Sequence, residues 1–148
     1  YYATGKRDLN EMGGLARRMP FTTAMFVIAA AAISGLPPFN GFVSKLLIYE
    51  SVFAVHPALT VVALLTSVLT LASFVKVFQT AFLGPEKSVF TGVREVPSGM
   101  LFGMGVLTLA VLGASLFPSW TLSNLVEPAA KALVDQAGYI GAVMGGGL

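Results

Sequence analysis

Residues 21 to 55 form a long apolar run broken in its middle, and this break constrains the chain more than any other feature. The run passes from Phe21 through Ala29-Ala30-Ala31-Ala32 to Ser34-Gly35. It then reads Leu36-Pro37-Pro38-Phe39-Asn40-Gly41 and continues through Phe42-Val43-Ser44-Lys45 to Tyr49-Glu50 and Val55. Two consecutive prolines remove two backbone donors, and their rings clash with the preceding turn, so an α-helix cannot run through them. Either side of the break is too short to cross a bilayer alone, because a crossing needs roughly 20 residues. The economical reading is one transmembrane helix in two halves, broken at Gly35, Pro37, Pro38, Asn40 and Gly41. Irregular backbone at membrane depth is tolerated only where it is buried in protein or lines a watery cavity. Discontinuous helices of this kind mark ion and substrate sites in transporters.

Composition agrees with a membrane chain. Of 148 residues, 55% are hydrophobic and 11% are charged, against about 25% charged in soluble domains. The mean hydropathy is +0.80. The net charge of +2 is too small to argue for nucleic acid. With no cysteine and a single histidine, disulfides, thiolate metal sites and histidine clusters are excluded. Residues 1–20 carry Lys6, Arg7, Asp8, Glu11, Arg17 and Arg18 and do not read as a signal peptide. The chain opens on Tyr1-Tyr2 without a methionine, so it is expected to be a piece of a longer or divided protein.

The expected fold is all-α and integral to the membrane, with three transmembrane helices and a short interfacial C-terminal helix. Residues 1–20 read as a cytoplasmic loop, with a short helix expected between Asn10 and Arg18. Residues 21–55 are the discontinuous helix, closed by a turn at His56-Pro57. Residues 58–83 are a second span, with a weakly polar side at Thr60, Thr66, Ser67, Thr70 and Ser73. That side is expected to pack on protein. Residues 84–97 are a second cytoplasmic loop. Residues 98–117 are the third span, where Gly99 and Gly103 have a GxxxG spacing compatible with tight helix contact. Residues 118–148 form an external interfacial tail. Trp120 is its anchor, and Pro128 suits a first helical turn. Lys131 and Asp135 share one face of its helix, with Ala130, Leu133, Val134 and Ala137 mostly elsewhere. Gly145 to Leu148 are expected to be mobile.

Charge decides the orientation. Three crossings put Lys6, Arg7, Arg17, Arg18, Lys87 and Arg94 on one side and Lys131 on the other. Positive charge concentrates on the cytoplasmic side, so the N-terminal loop is expected inside and the tail outside. A four-crossing path, with Pro37-Pro38 at the surface, splits the basic residues less sharply and needs a first helix too short to span.

Two lysines interrupt the apolar segments. Lys45 lies ten residues before the end of its run, about 15 Å from the surface at roughly 1.5 Å per residue and so near the midplane. A charge at that depth costs roughly 2.5–3.5 kcal/mol on insertion scales, so Lys45 must face a cavity or a counter-charge. Burial disfavours the ammonium form. The positive end of the second half-helix pushes the same way, while free carbonyls around Ile33 to Leu36 solvate the ammonium. A lysine balanced in this way suits a proton relay; the competing reading is a static ion pair between subunits. Lys76 sits about seven residues from its helix end, shallow enough for its stem to snorkel. Glu50, five residues beyond Lys45, lies on a different helix face and is no intrahelical partner. His56 reads as a turn residue. No nucleophile triad, phosphate loop or metal site is present in the pattern.

Gly13-Gly14-Leu15-Ala16-Arg17-Arg18-Met19-Pro20, followed by Gly35-Leu36-Pro37-Pro38-Phe39-Asn40-Gly41-Phe42-Val43-Ser44-Lys45, resembles the late part of the proton-translocating antiporter-like family. That family comprises the large membrane subunits of complex I, Mrp-type sodium/proton antiporters, and the membrane arms of energy-converting hydrogenases and formate hydrogenlyase. The wording around Pro37-Pro38 and Tyr49-Glu50 resembles the hydrogenase branch most. The resemblance implies a discontinuous helix with Lys45 as its central ionisable residue, and ion translocation through Lys45 and Lys76 in a redox-driven complex of the cell (inner) membrane. It implies a non-catalytic subunit of an oxidoreductase complex, without redox chemistry or cofactors of its own. Its partners would be the lipid bilayer, other membrane subunits, and a chain supplying the remaining helices; nucleic acid is not among them. Two rivals stand beside this reading. One is a structural membrane subunit without an ion path, the other a part of a secondary solute carrier.

Overall fold

A computed structural model describes residues 1–90, 92–135, 138, 140 and 141. The expectations about Ala137 and about Gly145 to Leu148 lie outside the described residues. Every regular element among them is helical. The chain divides into two compact units, residues 1–116 and 117–148.

The first unit opens with a 3₁₀ turn, Leu9–Glu11, capped by the Asp8 carboxylate, which accepts from the Asn10 N–H at 2.9 Å. Helix α1 (Leu15–Arg18) follows. The single short helix expected over Asn10 to Arg18 is thus two separate turns. The chain between them passes through Gly14 at φ +68°, a left-handed conformation that ends helical continuity and that glycine adopts without strain.

Helix α2 (Pro20–Ser34) starts at a proline, whose missing N–H costs nothing at the first helical position. It ends at Gly35, φ +77°. The Gly35 and Leu36 N–H groups donate to the Ala32 and Ala31 carbonyls at 3.2 and 3.1 Å. This paired closure of a helix end needs the left-handed residue that glycine supplies. The chain turns through the cis Pro37-Pro38 peptide, with Phe39 N–H donating to the Leu36 carbonyl at 3.0 Å. Helix α3 (Asn40–Val55) then begins. The break falls where the double proline placed it.

His56 is the only residue between α3 and α4 (Pro57–Val77). Helix α4 runs on as a π-helical stretch, Phe78–Leu83, giving a continuous apolar rod over Pro57–Leu83. Helix α5 is Ser98–Leu116. The α4 rod and α5 are long and apolar enough to cross a membrane, whereas α2 is a shorter apolar helix. Helices α2 and α3 both pack against α4 and α5. The aromatic seam between α2 and α4 is Phe26 against Phe74, Phe78 and Phe82, with ring centroids 5.0–6.4 Å apart.

The weakly polar side of α4 divides. Ser67 hydrogen-bonds Tyr49 of α3, and Thr60 is buried. Thr66 and Ser73 are exposed and Thr70 is half-buried, and all three satisfy themselves on carbonyls four residues back. A Cβ at Gly99 or Gly103 would meet nothing within 4 Å among the described residues, whereas one at Gly105 would lie 3.7 Å from Met25 Cε of α2. A GxxxG spacing cannot say which face meets a neighbour, and here α5 turns the other face inward.

The second unit contains α6 (Pro118–Thr121), a π-helical turn at Leu122–Val126, and α7 (Glu127–Val134). It is more continuously helical than one short helix. Pro128 sits in the first turn of α7. Lys131 faces Glu127, at 3.9 Å, while Asp135 accepts from the Gly138 N–H.

Candidate functional site: the broken helix and Lys45

The break brings the end of α2 and the start of α3 into backbone contact. A Cβ at Gly41 would lie 1.8 Å from the Ala32 carbonyl oxygen. A Cβ at Gly35 would lie 2.8 Å from Lys45 Cδ. The two glycines therefore let the half-helices and the Lys45 stem share one narrow space.

Lys45 lies in the second turn of α3 and reaches back across the break. Its Nζ donates to the Ser34 carbonyl at 3.0 Å. This carbonyl belongs to the last turn of α2, where carbonyls lack helical partners and carry partial negative charge. The ammonium thus sits on the negative end of one half-helix while its backbone belongs to the positive end of the other. Lys45 is half-buried, and among the described residues it forms no ion pair. Glu50 is exposed and equally unpaired among them.

The start of α3 is held from α5. Asn40 N–H donates to Ser115 Oγ at 3.0 Å, and Ser115 Oγ donates to the Val111 carbonyl at 2.7 Å. Asn40 has no capping residue before it, since Phe39 offers no side-chain acceptor. Its own carbonyl accepts from Ser44 Oγ at 3.1 Å. One turn beyond Lys45, Tyr49 is tied to Ser67 of α4.

Lys76 takes no part in the Lys45–Ser34 hydrogen bond. Leu71 and Val75 line an apolar cleft with Phe26, Ala30, Ser34 and Leu36, so α4 passes the break at this level. Lys76, the next residue, is exposed. Its carbonyl accepts from Thr80 Oγ1 at 2.8 Å, just ahead of the π-helical stretch. The described residues contain no grouping of side chains able to hold a metal.

The carbonyls expected around Ile33 to Leu36 to solvate the ammonium include the Ser34 oxygen that Lys45 meets. Sequence reasoning missed two contributors, Ser115 as cap and Glu95. The Glu95 carboxylate accepts from Phe21 N–H at 3.1 Å, from Thr22 N–H at 3.2 Å and from Thr22 Oγ1, at the start of α2. No local spacing announces partners so far apart in the chain.

Residues 1–70 match the family described as NADH:quinone oxidoreductase/Mrp antiporter, transmembrane. The chain belongs to this antiporter-like family. It is 36% identical over 142 residues to a Na(+)/H(+) antiporter subunit of Bacillus subtilis, covering 95% of this chain and 29% of that protein. It is 34% identical over 139 residues to a subunit of the F(420)H(2) dehydrogenase of Methanosarcina mazei, covering 94% of this chain and 28% of that one. Among solved structures it superposes on a chain of the Mrp complex from Dietzia sp. DQ12-45-1b with a TM-score of 0.79 at 25% identity. That match covers 94% of this chain and 34% of the other. The chain thus spans under a third of these two curated relatives. The matching family is a transmembrane one, and this chain is a membrane protein.

Proposed function

We propose that the chain forms one end of a proton or sodium pathway in an antiporter-like subunit, with Lys45 as the relay at the broken helix. The observation that carries this is the Lys45 ammonium resting on the Ser34 carbonyl across the break, 3.0 Å away, with no carboxylate partner among the described residues. A cation held by a backbone dipole alone can give up its proton without leaving a buried carboxylate uncompensated, as a tight ion pair would. The name of the antiporter relative supports ion exchange, and that of the dehydrogenase relative supports a redox complex as the parent. The parent complex is an antiporter or a redox-driven pump, the hydrogenase branch included. Its other subunits supply the rest of the ion path and the partner that Lys45 meets during a cycle. Lys76, exposed at the level of the break, hands ions on from a neighbouring chain. The three-crossing path, with basic loops inside and tail outside, rests on the charge count. Residues 13–14 and 84–86 lie against each other, which supports placing both loops on one side.

Substitution in the intact complex tests the relay. Lys45→Ala assembles and loses coupled transport. Lys45→Arg assembles and fails as well, because arginine stays charged in proteins. Lys45→Glu retains part of the transport, since a carboxylate also exchanges protons. A static strut gives the reverse order, and full transport with Lys45→Arg but none with Lys45→Glu ends the relay reading.

A further inference from the structure

Helix α2 lacks a capping residue of its own. Met19 precedes it and offers no side-chain acceptor. Pro20 has no N–H, and the Thr23 N–H and Oγ1 both donate to the Met19 carbonyl. The donors left over in the first turn are the N–H groups of Phe21 and Thr22, and one carboxylate takes both. Glu95 reaches them from the loop before α5, 73 and 74 residues away in the chain, and also accepts from Thr22 Oγ1. A carboxylate at a helix N-terminus satisfies orphan donors and complements the dipole.

The rest of α2 offers little that is directional. Its body is Ala29 to Ala32 with Phe26 in an aromatic seam, and apolar contact does not fix an axial position or a rotation. Its far end is the Ser34 carbonyl that holds Lys45. A rigid helix of 15 residues, about 22 Å long at roughly 1.5 Å per residue, therefore has directional contacts to other segments at its two tips. We propose that Glu95 is a positioning residue: by clamping the start of α2 it sets where the Ser34 carbonyl stands relative to Lys45. This rests on the reading of Lys45 as the relay.

The test uses the intact membrane complex carrying this chain, with two separate readouts. The first is coupled ion transport. The second is the alkylation rate of the thiol introduced by Ser34→Cys with a small water-soluble maleimide, since position 34 is buried at the far end of α2. Glu95→Ala lowers transport about tenfold, the scale of a lost N-terminal cap, and raises alkylation at position 34 several-fold. Glu95→Gln keeps one acceptor oxygen but sets an amide NH2 against a second donor, so it falls between Glu95→Ala and the parent in both readouts. Thr22→Val, which removes one of the three donors, shifts both in the same direction by less and carries the test if Glu95→Ala fails to assemble. A role confined to the first turn leaves position 34 unchanged. Unaltered alkylation in Glu95→Ala, or in Thr22→Val where Glu95→Ala does not assemble, overturns the clamp whatever the Lys45 variants do. Normal transport in Lys45→Ala overturns the relay whatever the thiol reports.

Discussion

At position 41 the lack of a single methyl group decides how closely the two half-helices meet. The Cβ that alanine would bring lies 1.8 Å from a backbone oxygen, that of Ala32, and backbone cannot rotate away as a side chain can. Gly41→Ala is expected to force α2 and α3 apart, destabilising the assembled subunit by roughly 1–3 kcal/mol, the usual scale of overpacking. It should also lengthen the Lys45–Ser34 contact and so lower coupled transport. Thermal stability of the purified complex and transport in sealed vesicles check the two effects. The outcome would count against this geometry if Gly41→Ala matched the parent in both. The requirement at Gly35 is of another kind. Its φ of +77° closes α2, a conformation that costs other residues roughly 1–2 kcal/mol.

At the scale of elements, the unit is stapled at its loop end. The most buried apolar side chains include Leu15, Met19 and Phe90, together with Ala81 in the π-helical stretch. Here the segment before α1 docks on the loop after α4. A Cβ at Gly13 would stand 2.5 Å from the Pro85 oxygen, and one at Gly14 2.9 Å from Glu86 Cα. Lys87 donates to the Asn10 carbonyl, and Arg18 Nε pairs with Glu86 at 3.2 Å. Backbone fit, not charge, is expected to hold this joint. The Arg18–Glu86 pair is part-exposed, and such pairs contribute about 0–1 kcal/mol. Gly14→Ala should release the loop and speed tryptic cleavage after Lys87 and Arg94 in inside-out vesicles, while Arg18→Ala should change the rate little. Equal rates for both would show that the close backbone approach is not what holds the loop.

For the whole molecule, the charge count makes a claim that chemistry can check. Cysteines introduced at Val89 and Ser123, both exposed, are expected to react with a membrane-impermeant reagent from opposite faces of sealed vesicles. Reaction of both from one face would sink the three-crossing path. Much of the architecture was legible because its causes are local. A double proline ends a helix wherever it occurs, an apolar stretch the length of Pro57–Leu83 declares a span by its own hydropathy, and Pro57 directly after α3 leaves room for only a turn. The family was legible from the wording around Gly35 to Lys45. By contrast, most of the contacts that hold the site were hidden. The end of α2 was expected to offer its carbonyls to Lys45, but which of those around Ile33 to Leu36 it meets, that of Ser34, was not readable. Ser115 and Glu95 cap helices 75 and 73 residues distant, and the inward face of α5 is the one with Gly105, not Gly99 and Gly103. The sequence by itself determined where helices run and where they break, because backbone donors, proline rings and hydropathy act within a few residues. Only the tertiary structure decided which oxygen meets the lysine and which carboxylate holds α2, because those choices depend on how separate helices pack, and packing is not a local property.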